Sequence, residues 1–352
     1  MKANPADARA PYYLGNLFYD RRRHAEAIAL WQKSARLDGG FSIVWRNLGI
    51  GYYNIVRQPA KARSAYERAF RAALGDARVF YERDQLWKRL GVAPAARLRE
   101  LEENLPRVNE RDDLTVELCA LYNQTGRHTA AQRLLAARVF QPWEGGEGQA
   151  LGQHVRTQLA LGRAELRRGN AAAARGHFEQ ALLSPQNLGE AKHLLANQSD
   201  IRFWLGEACS ALGDRPAALN HWQAAAAFRG DFQEMSVRSF SEMTYYSALA
   251  LARLGRKAAS RKLLRGLLIY ARRLAHAPAK IDYFATSLPT MLVFDDDLQK
   301  RQKITALFLQ AQARLGLGQL KTAKKHLAAL LRRDPNHALA ADLRDSLGNS
   351  PA

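Results

Sequence analysis

"YYLGNLFYDRRRHAEAIALWQKSARLD" (residues 12–38) is followed by "VWRNLGIGYYNIVRQPAKARSAYERAF" (residues 44–70), and the second stretch repeats the first. Leu14-Gly15 returns as Leu48-Gly49, 34 residues on. Ala27 returns as Ala62 and Trp31 as Tyr66, each 35 residues on, the extra residue falling in the turn around Gln58-Pro59. The pattern has a physical reason. Gly15 and Gly49 on the first helix, and Ala27 and Ala62 on the second, are small where the two helices of a hairpin cross. The rings of Trp31 and Tyr66 are expected to fill the space between one hairpin and the next. A single hairpin cannot bury both faces, so such units stack.

Looser copies follow. "VELCALYNQTGRHTAAQRLL" (116–135) puts Cys119 at the glycine position, Gly126 in the turn and Ala131 on the second helix. Gly162, Gly169, Ala174 and Phe178 mark another copy, and Gly206, Gly213, Ala218 and Trp222 the next. Ala248 with Gly255, then Ala311, Gly318, Ala323 and Leu327, mark the last two. Asp334-Pro335 is a helix stop, since proline cannot continue a helix interior, and "HALAADLRDSL" after it reads as a solvating cap helix. Asn4-Pro5 stands before the first copy as Asp334-Pro335 stands after the last, which reads as the tail of a preceding repeat and predicts a missing upstream domain.

The period and these positions resemble the tetratricopeptide repeat, a pair of antiparallel helices of roughly 34 residues. The expected fold is all-α: a single superhelical domain over 1–352, of about eight hairpins. Residues 1–75 hold two regular repeats, 76–110 a degenerate one, 111–270 irregular repeats with inserts, 271–303 an insert, and 304–347 the last repeat and cap helix. First helices line the concave side of such a stack. By phase that side presents Tyr12, Asn16, Tyr19, Arg46, Tyr53 and Asn54, then Asn123, Gln124, Arg163, Arg167, Phe203 and Tyr245. Asp84 and Trp87 of the degenerate stretch "VFYERDQLWKRLGVAPAARL" (79–98) are further candidates for the inner surface. Aromatic, amide and guanidinium groups suit recognition. A chaperone-type carboxylate clamp is not expected, because Tyr12 stands one turn before Asn16 where that clamp has a lysine.

The turn glycines Gly126, Gly169, Gly213, Gly255 and Gly318 are 43, 44, 42 and 63 residues apart, so extra residues lie between hairpins. "FQPWEGGEGQALGQH" (140–154) is a glycine-rich loop carrying Trp143, Glu144 and Glu147; glycine allows close backbone approach to a partner. "NLGEAKHLLANQSD" (187–200) is helical by period, with Leu188, Ala191, Leu194 and Leu195 on one face and Glu190, Lys192, His193, Asn197 and Gln198 on the other. "KIDYFATSLPTMLVFDDDLQKR" (280–301) contributes Asp282 and Tyr283, is broken by Pro289, and ends in Asp295 to Asp297, which suit the N-terminus of the next helix. Trp143, Glu144, His193, Asn197, Asp282 and Tyr283 are expected to gather at one place.

As a set, "YERDQLWKRLG", "LYNQTGRH", "PWEGGEG", "NLGEAKHLLANQ" and "KIDYFATSLP" resemble the C-terminal repeat region of bacterial two-domain proteins. In those proteins an N-terminal domain of unknown function, similar to the galactose-mutarotase β-sandwich, precedes the repeats. The resemblance implies that this chain is the helical half and, by analogy, that the other half handles carbohydrate. It carries no catalytic residue onto this sequence.

Composition narrows the functional classes. There are 53 Lys and Arg against 33 Asp and Glu, a formal charge of +20. This favours anionic partners, but no basic run is longer than Arg21 to Arg23, so nucleic acid is not the expected partner. The two cysteines, Cys119 and Cys209, are expected reduced and buried. No zinc spacing, signal core or membrane-length apolar stretch occurs, which points to a cytoplasmic chain without cofactor, metal or membrane contact. The function expected is a non-catalytic scaffold for a protein, a peptide or a missing β-sandwich domain. The alternative is the helical half of a carbohydrate-active or carbohydrate-binding protein, with Glu144 and Glu147 as its paired carboxylates.

Overall fold

The computed structural model describes residues 4–228, 230–233, 236–280 and 293–348. The described residues are all-α apart from one short hairpin, and the chain divides into two compact units. Unit 1 comprises residues 1–114 and 289–296; unit 2 comprises 115–288 and 297–352.

Unit 1 holds α1 (Arg9–Asp20), α2 (His24–Leu37), α3 (Ser42–Asn54), α4 (Pro59–Ala72), α5 (Ala77–Arg89), α6 (Pro94–Glu103), the single turn α7 (Leu105–Val108) and the start of α8 (Asp112–Gln124). Prolines at the first helical position of α4 and α6 begin those helices at no hydrogen-bond cost. Gly15 and Gly49 are required by contact. A Cβ at Gly15 would lie 2.6 Å from Trp31, and one at Gly49 would lie 2.4 Å from Tyr66. Each ring therefore lies on the glycine of its own hairpin rather than only between hairpins, because the small residue opens the slot that the ring fills. Trp31 also packs with Val44 and Leu48 of the next hairpin.

The stretch expected to be degenerate keeps the period. Hairpin turns in unit 1 pass through one left-handed residue at Arg22, Arg57 and Gly91, 34 or 35 residues apart. Asp84 and Trp87, expected at the inner surface, are instead buried. Arg97 donates to both Asp84 carboxylate oxygens, at 2.9 and 2.5 Å, with both side chains 2% exposed. Trp87 Nε1 donates to Glu67, which also pairs with Arg83. Packing of polar groups against polar groups explains why this repeat lost its apolar signature.

Unit 2 holds the rest of α8, then α9 (His128–Ala136), α10 (Gln149–Arg167), α11 (Ala171–Leu182), α12 (Ser199–Ala211), α13 (Arg215–Ala227), the antiparallel strands β1 (Asp231–Gln233) and β2 (Ser236–Arg238), α14 (Met243–Arg253), α15 (Lys257–His276), α16 (Leu298–Gly316), α17 (Leu320–Arg333) and α18 (Ala338–Gly348). The left-handed turn recurs at Gly126, Gly169, Gly213, Gly255 and Gly318. The ring-on-glycine device recurs as Phe178 on Gly162 and Trp222 on Gly206. Cys119 and Cys209 are buried and unpaired, and burial pushes the Cys119 thiol up to about 12.

Two expectations are corrected here. Residues 187–200 are not one helix. A single 3₁₀ turn, Gln186–Leu188, ends at Gly189 with φ 72°, where a Cβ would meet Phe140 O at 2.6 Å. Irregular backbone runs from there to α12; Leu188 is buried, but Leu194 is 99% exposed and Leu195 is exposed. The final helix α18 is not only a solvating cap: Ala340 and Ala341 are buried, and Asp342 is bound by α10. Of the three acids expected at a helix start, Asp297 caps α16 through Lys300 N–H, whereas Asp295 pairs with Arg57 in unit 1.

Candidate functional site

Unit 2 closes on itself through Arg156 of α10. Its guanidinium donates to both carboxylate oxygens of Asp342 in α18, at 2.8 and 2.7 Å, and to Gln124 Oε1 and Ala120 O of α8. Gln124 in turn donates to Pro335 O, just before α18. Residues of α10, α12, α14, α16 and α18, together with two insert loops, line a half-open cavity of about 790 Å³.

The loops are tied to each other and to helix ends. Phe140 N–H donates to Asn187 O at 2.7 Å. Trp143 lies over Gly146, where a Cβ would come within 1.9 Å of the indole. The Glu190 carboxylate accepts from the Gly148 and Leu151 N–H groups at 2.5 and 3.0 Å, at the start of α10, where unpaired donors and the helix dipole favour an anion. Lys192 Nζ donates to Ala181 O and Leu183 O at the end of α11, the complementary arrangement. Asn197 Oδ1 accepts from Ser199 N–H and Oγ–H at the start of α12, and its amide donates to Gly230 O.

Trp143, Glu147, Arg163, Glu190, His193, Asn197 and Gln198 all line this cavity. Glu144 is exposed and does not line it. Asp282 and Tyr283 lie outside the described residues. Asn123 does not line the cavity and is buried, donating to Gln153 and Thr157 and bonded to His128. In unit 1 the candidates are held in internal contacts. Tyr12 packs edge-on to Phe41, Asn16 accepts from Trp31 and Asn47, and Tyr19 lies between His24 and Trp31. Arg46 forms a two-point pair with Glu82, and Tyr53 packs on Phe294.

The cavity also holds groups that the repeat pattern did not single out. Asp200, 8% exposed, accepts from Ile201 N–H and has no ion-pair partner among the described residues; burial raises its carboxyl to about 6, against the pull of Arg163. Burial lowers Lys192 to about 8, with Asp200 opposing the shift. Tyr246 is pushed up to about 12, again by burial. Gln312, 2% exposed, donates to Glu242 O, while its buried Oε1 has no hydrogen-bond partner among the described residues. The surroundings are apolar: Leu151, Leu159, Ile201, Met243 and Phe308. The lining is thus mainly apolar, with the Arg163 guanidinium as a cationic group among it. Among the described residues no group of three His, Cys, Asp or Glu side chains is placed to hold a metal ion, and no helix is long and apolar enough to cross a membrane.

Residues 1–40 match the family model of the tetratricopeptide repeat. Among solved structures the chain is similar to a tetratricopeptide repeat protein from Parabacteroides merdae, at 14% identity and TM-score 0.40 over 74% of this chain and 91% of that one. It is similar to the C-terminal part of a TPR repeat-containing protein from Cytophaga hutchinsonii, at 13% identity and TM-score 0.39 over 90% and 99%. It is also similar to YrrB, a TPR protein with an unusual peptide-binding site, at 16% identity and TM-score 0.38 over 63% and 95%. The matched residues 1–40 span α1 and α2, and the helix pairs after them are stacked tetratricopeptide-like hairpins.

Proposed function

We propose that this chain is a non-catalytic repeat scaffold and that the cavity of unit 2 holds a peptide segment of a partner protein. The observation that carries this reading is a pocket of about 790 Å³ whose lining joins Leu151, Leu159, Ile201, Met243 and Phe308 to the Arg163 guanidinium. The polar residues of the inserts are mostly spent on helix ends, which fixes the chamber in advance and lowers the ordering cost of binding. Of the two carboxylates behind a carbohydrate reading, Glu144 does not line the cavity and Glu147 accepts from Gly145 N–H. That pair offers no fixed acid–base arrangement for glycoside chemistry.

The test is selection from a displayed peptide library, followed by calorimetric titration against Arg163→Met and Gln312→Leu. Loss of a charge-assisted hydrogen bond predicts at least about tenfold weaker binding to Arg163→Met, with the melting temperature unchanged. Peptides that bind both variants as well as the wild type would remove the cavity from the account. Saturable binding on a glycan array, with none to peptides, would favour the carbohydrate alternative.

A further inference from the structure

Residues 293–296 belong to unit 1, although α16 of unit 2 begins at Leu298. Val293, Phe294 and Asp295, where the chain bends, are held through their main chain and side chains as a short peptide is held by a receptor. Asn54, the last residue of α3, grips the backbone on both sides of Phe294: its amide nitrogen donates to Val293 O at 3.0 Å and its carbonyl oxygen accepts from Asp295 N–H at 2.9 Å. Such a two-point grip reads main chain and is indifferent to sequence. Phe294, 1% exposed, enters a socket of Tyr53, Tyr66 and Leu86, with the Arg89 guanidinium 5.5 Å from the ring centroid. At the rim Arg57 pairs with Asp295 at 2.8 Å, both side chains being about half exposed or more.

The Tyr66 wall of the socket has supports of its own. Tyr66 is seated on Gly49, and its hydroxyl donates to Glu82 at 3.0 Å. Arg46 holds Glu82 by two bonds of 2.6 Å. A preorganised wall of this kind keeps its shape when the occupant leaves.

We propose that this face of unit 1 is a recognition site for a partner peptide presenting an apolar–phenylalanine–acid triplet, and that residues 293–295 occupy it in cis. Each part of the triplet has its own reader: Asn54 for the main chain, the tyrosine socket for the ring and Arg57 for the acid. Tethering gives the resident segment a high effective concentration, so an outside peptide competes poorly until the segment is weakened.

The probe is acetyl-VFDDD-amide, the sequence of residues 293–297. Phe294→Ala should bind it at least tenfold more tightly than the wild type does, and adding Asn54→Ala should reverse the gain. Equal or absent binding to wild type and Phe294→Ala, with helix content retained, would overturn the proposal. If Phe294→Ala fails to fold, hydrogen exchange of the wild type decides. A ligand-like segment opens locally, so the Asp295 amide exchanges faster than the core amides of α3 and faster still with excess peptide. Exchange of Asp295 only at the rate of global unfolding would make Phe294 a core residue and end the proposal.

Discussion

Asp200 is taken almost wholly out of water at the cavity wall, and its titration makes a signed prediction. Burial raises its carboxyl to about 6, with the Ile201 N–H pulling it down, whereas an unfolded aspartate titrates near about 3.9. The folded state thus holds the proton more tightly. This group's contribution to stability is fully present below about pH 4 and is lost as the pH rises through about 6. Asp200→Asn keeps an acceptor for Ile201 N–H and removes the charge. It should stabilise the protein by about 2–3 kcal/mol at pH 7.5, a gain that shrinks toward pH 4 in thermal melts. An Asn variant less stable than wild type at pH 7.5 would mean that the carboxylate has a partner in solution. Asp200 and Gln312 escaped the sequence because burial of a polar side chain leaves no mark in a period. Trp143, Glu190, His193 and Asn197 were legible because they stand where the period breaks.

Hairpin turns are where sequence and backbone agree most closely. Gly91, Gly126, Gly169, Gly213, Gly255 and Gly318 all have φ between 72° and 82°, while Arg22 and Arg57 adopt φ 60° and 56°. A side chain in the left-handed region costs roughly 1–2 kcal/mol, and glycine pays part of that back through its freer unfolded chain. Arg22→Gly should therefore stabilise the protein by about 0.5–1 kcal/mol, measurable in urea unfolding; a loss would show that Arg22 makes a contact worth more than its strain. The misread element is the loop after Leu188. Its apolar residues follow a helical period, but Gly189 turns left-handed, and Glu190, Lys192 and Asn197 bind the ends of three other helices. The degenerate repeat, α5 with α6, buries ion pairs where the others bury apolar groups. Removing one partner of a buried pair strands the other, so Asp84→Ala should cost about 3–5 kcal/mol, and Asp84→Ala with Arg97→Met should recover most of it. Equal losses in the single and double variants would place the energy in packing instead.

Each unit has its own cores. Trp31, Leu48, Tyr66 and Phe294 lie in those of unit 1, and Phe178, Trp222, Leu264 and Phe308 in those of unit 2. Unfolding should then depart from two-state behaviour. In calorimetry, Asp84→Ala should lower one transition and Trp222→Ala, at about 3–5 kcal/mol, the other. A single transition shifted alike by both would show that the molecule unfolds as one body. The helical period, the glycine turns and the aromatic slots were readable along the chain; the division into units was not, because it depends on a contact between residues more than 200 apart.

That contact also sets a clock. Unit 1 takes its first 114 residues from the start of the chain and its last contribution from residues 289–296. At roughly 5–20 residues per second of synthesis, Phe294 is made on the order of 10–40 s after Leu114. For that interval the emerging chain carries a formed tyrosine socket and an Asn54 amide without its two backbone partners. Any phenylalanine-bearing chain within reach, a neighbouring nascent copy included, meets the site before its resident segment exists.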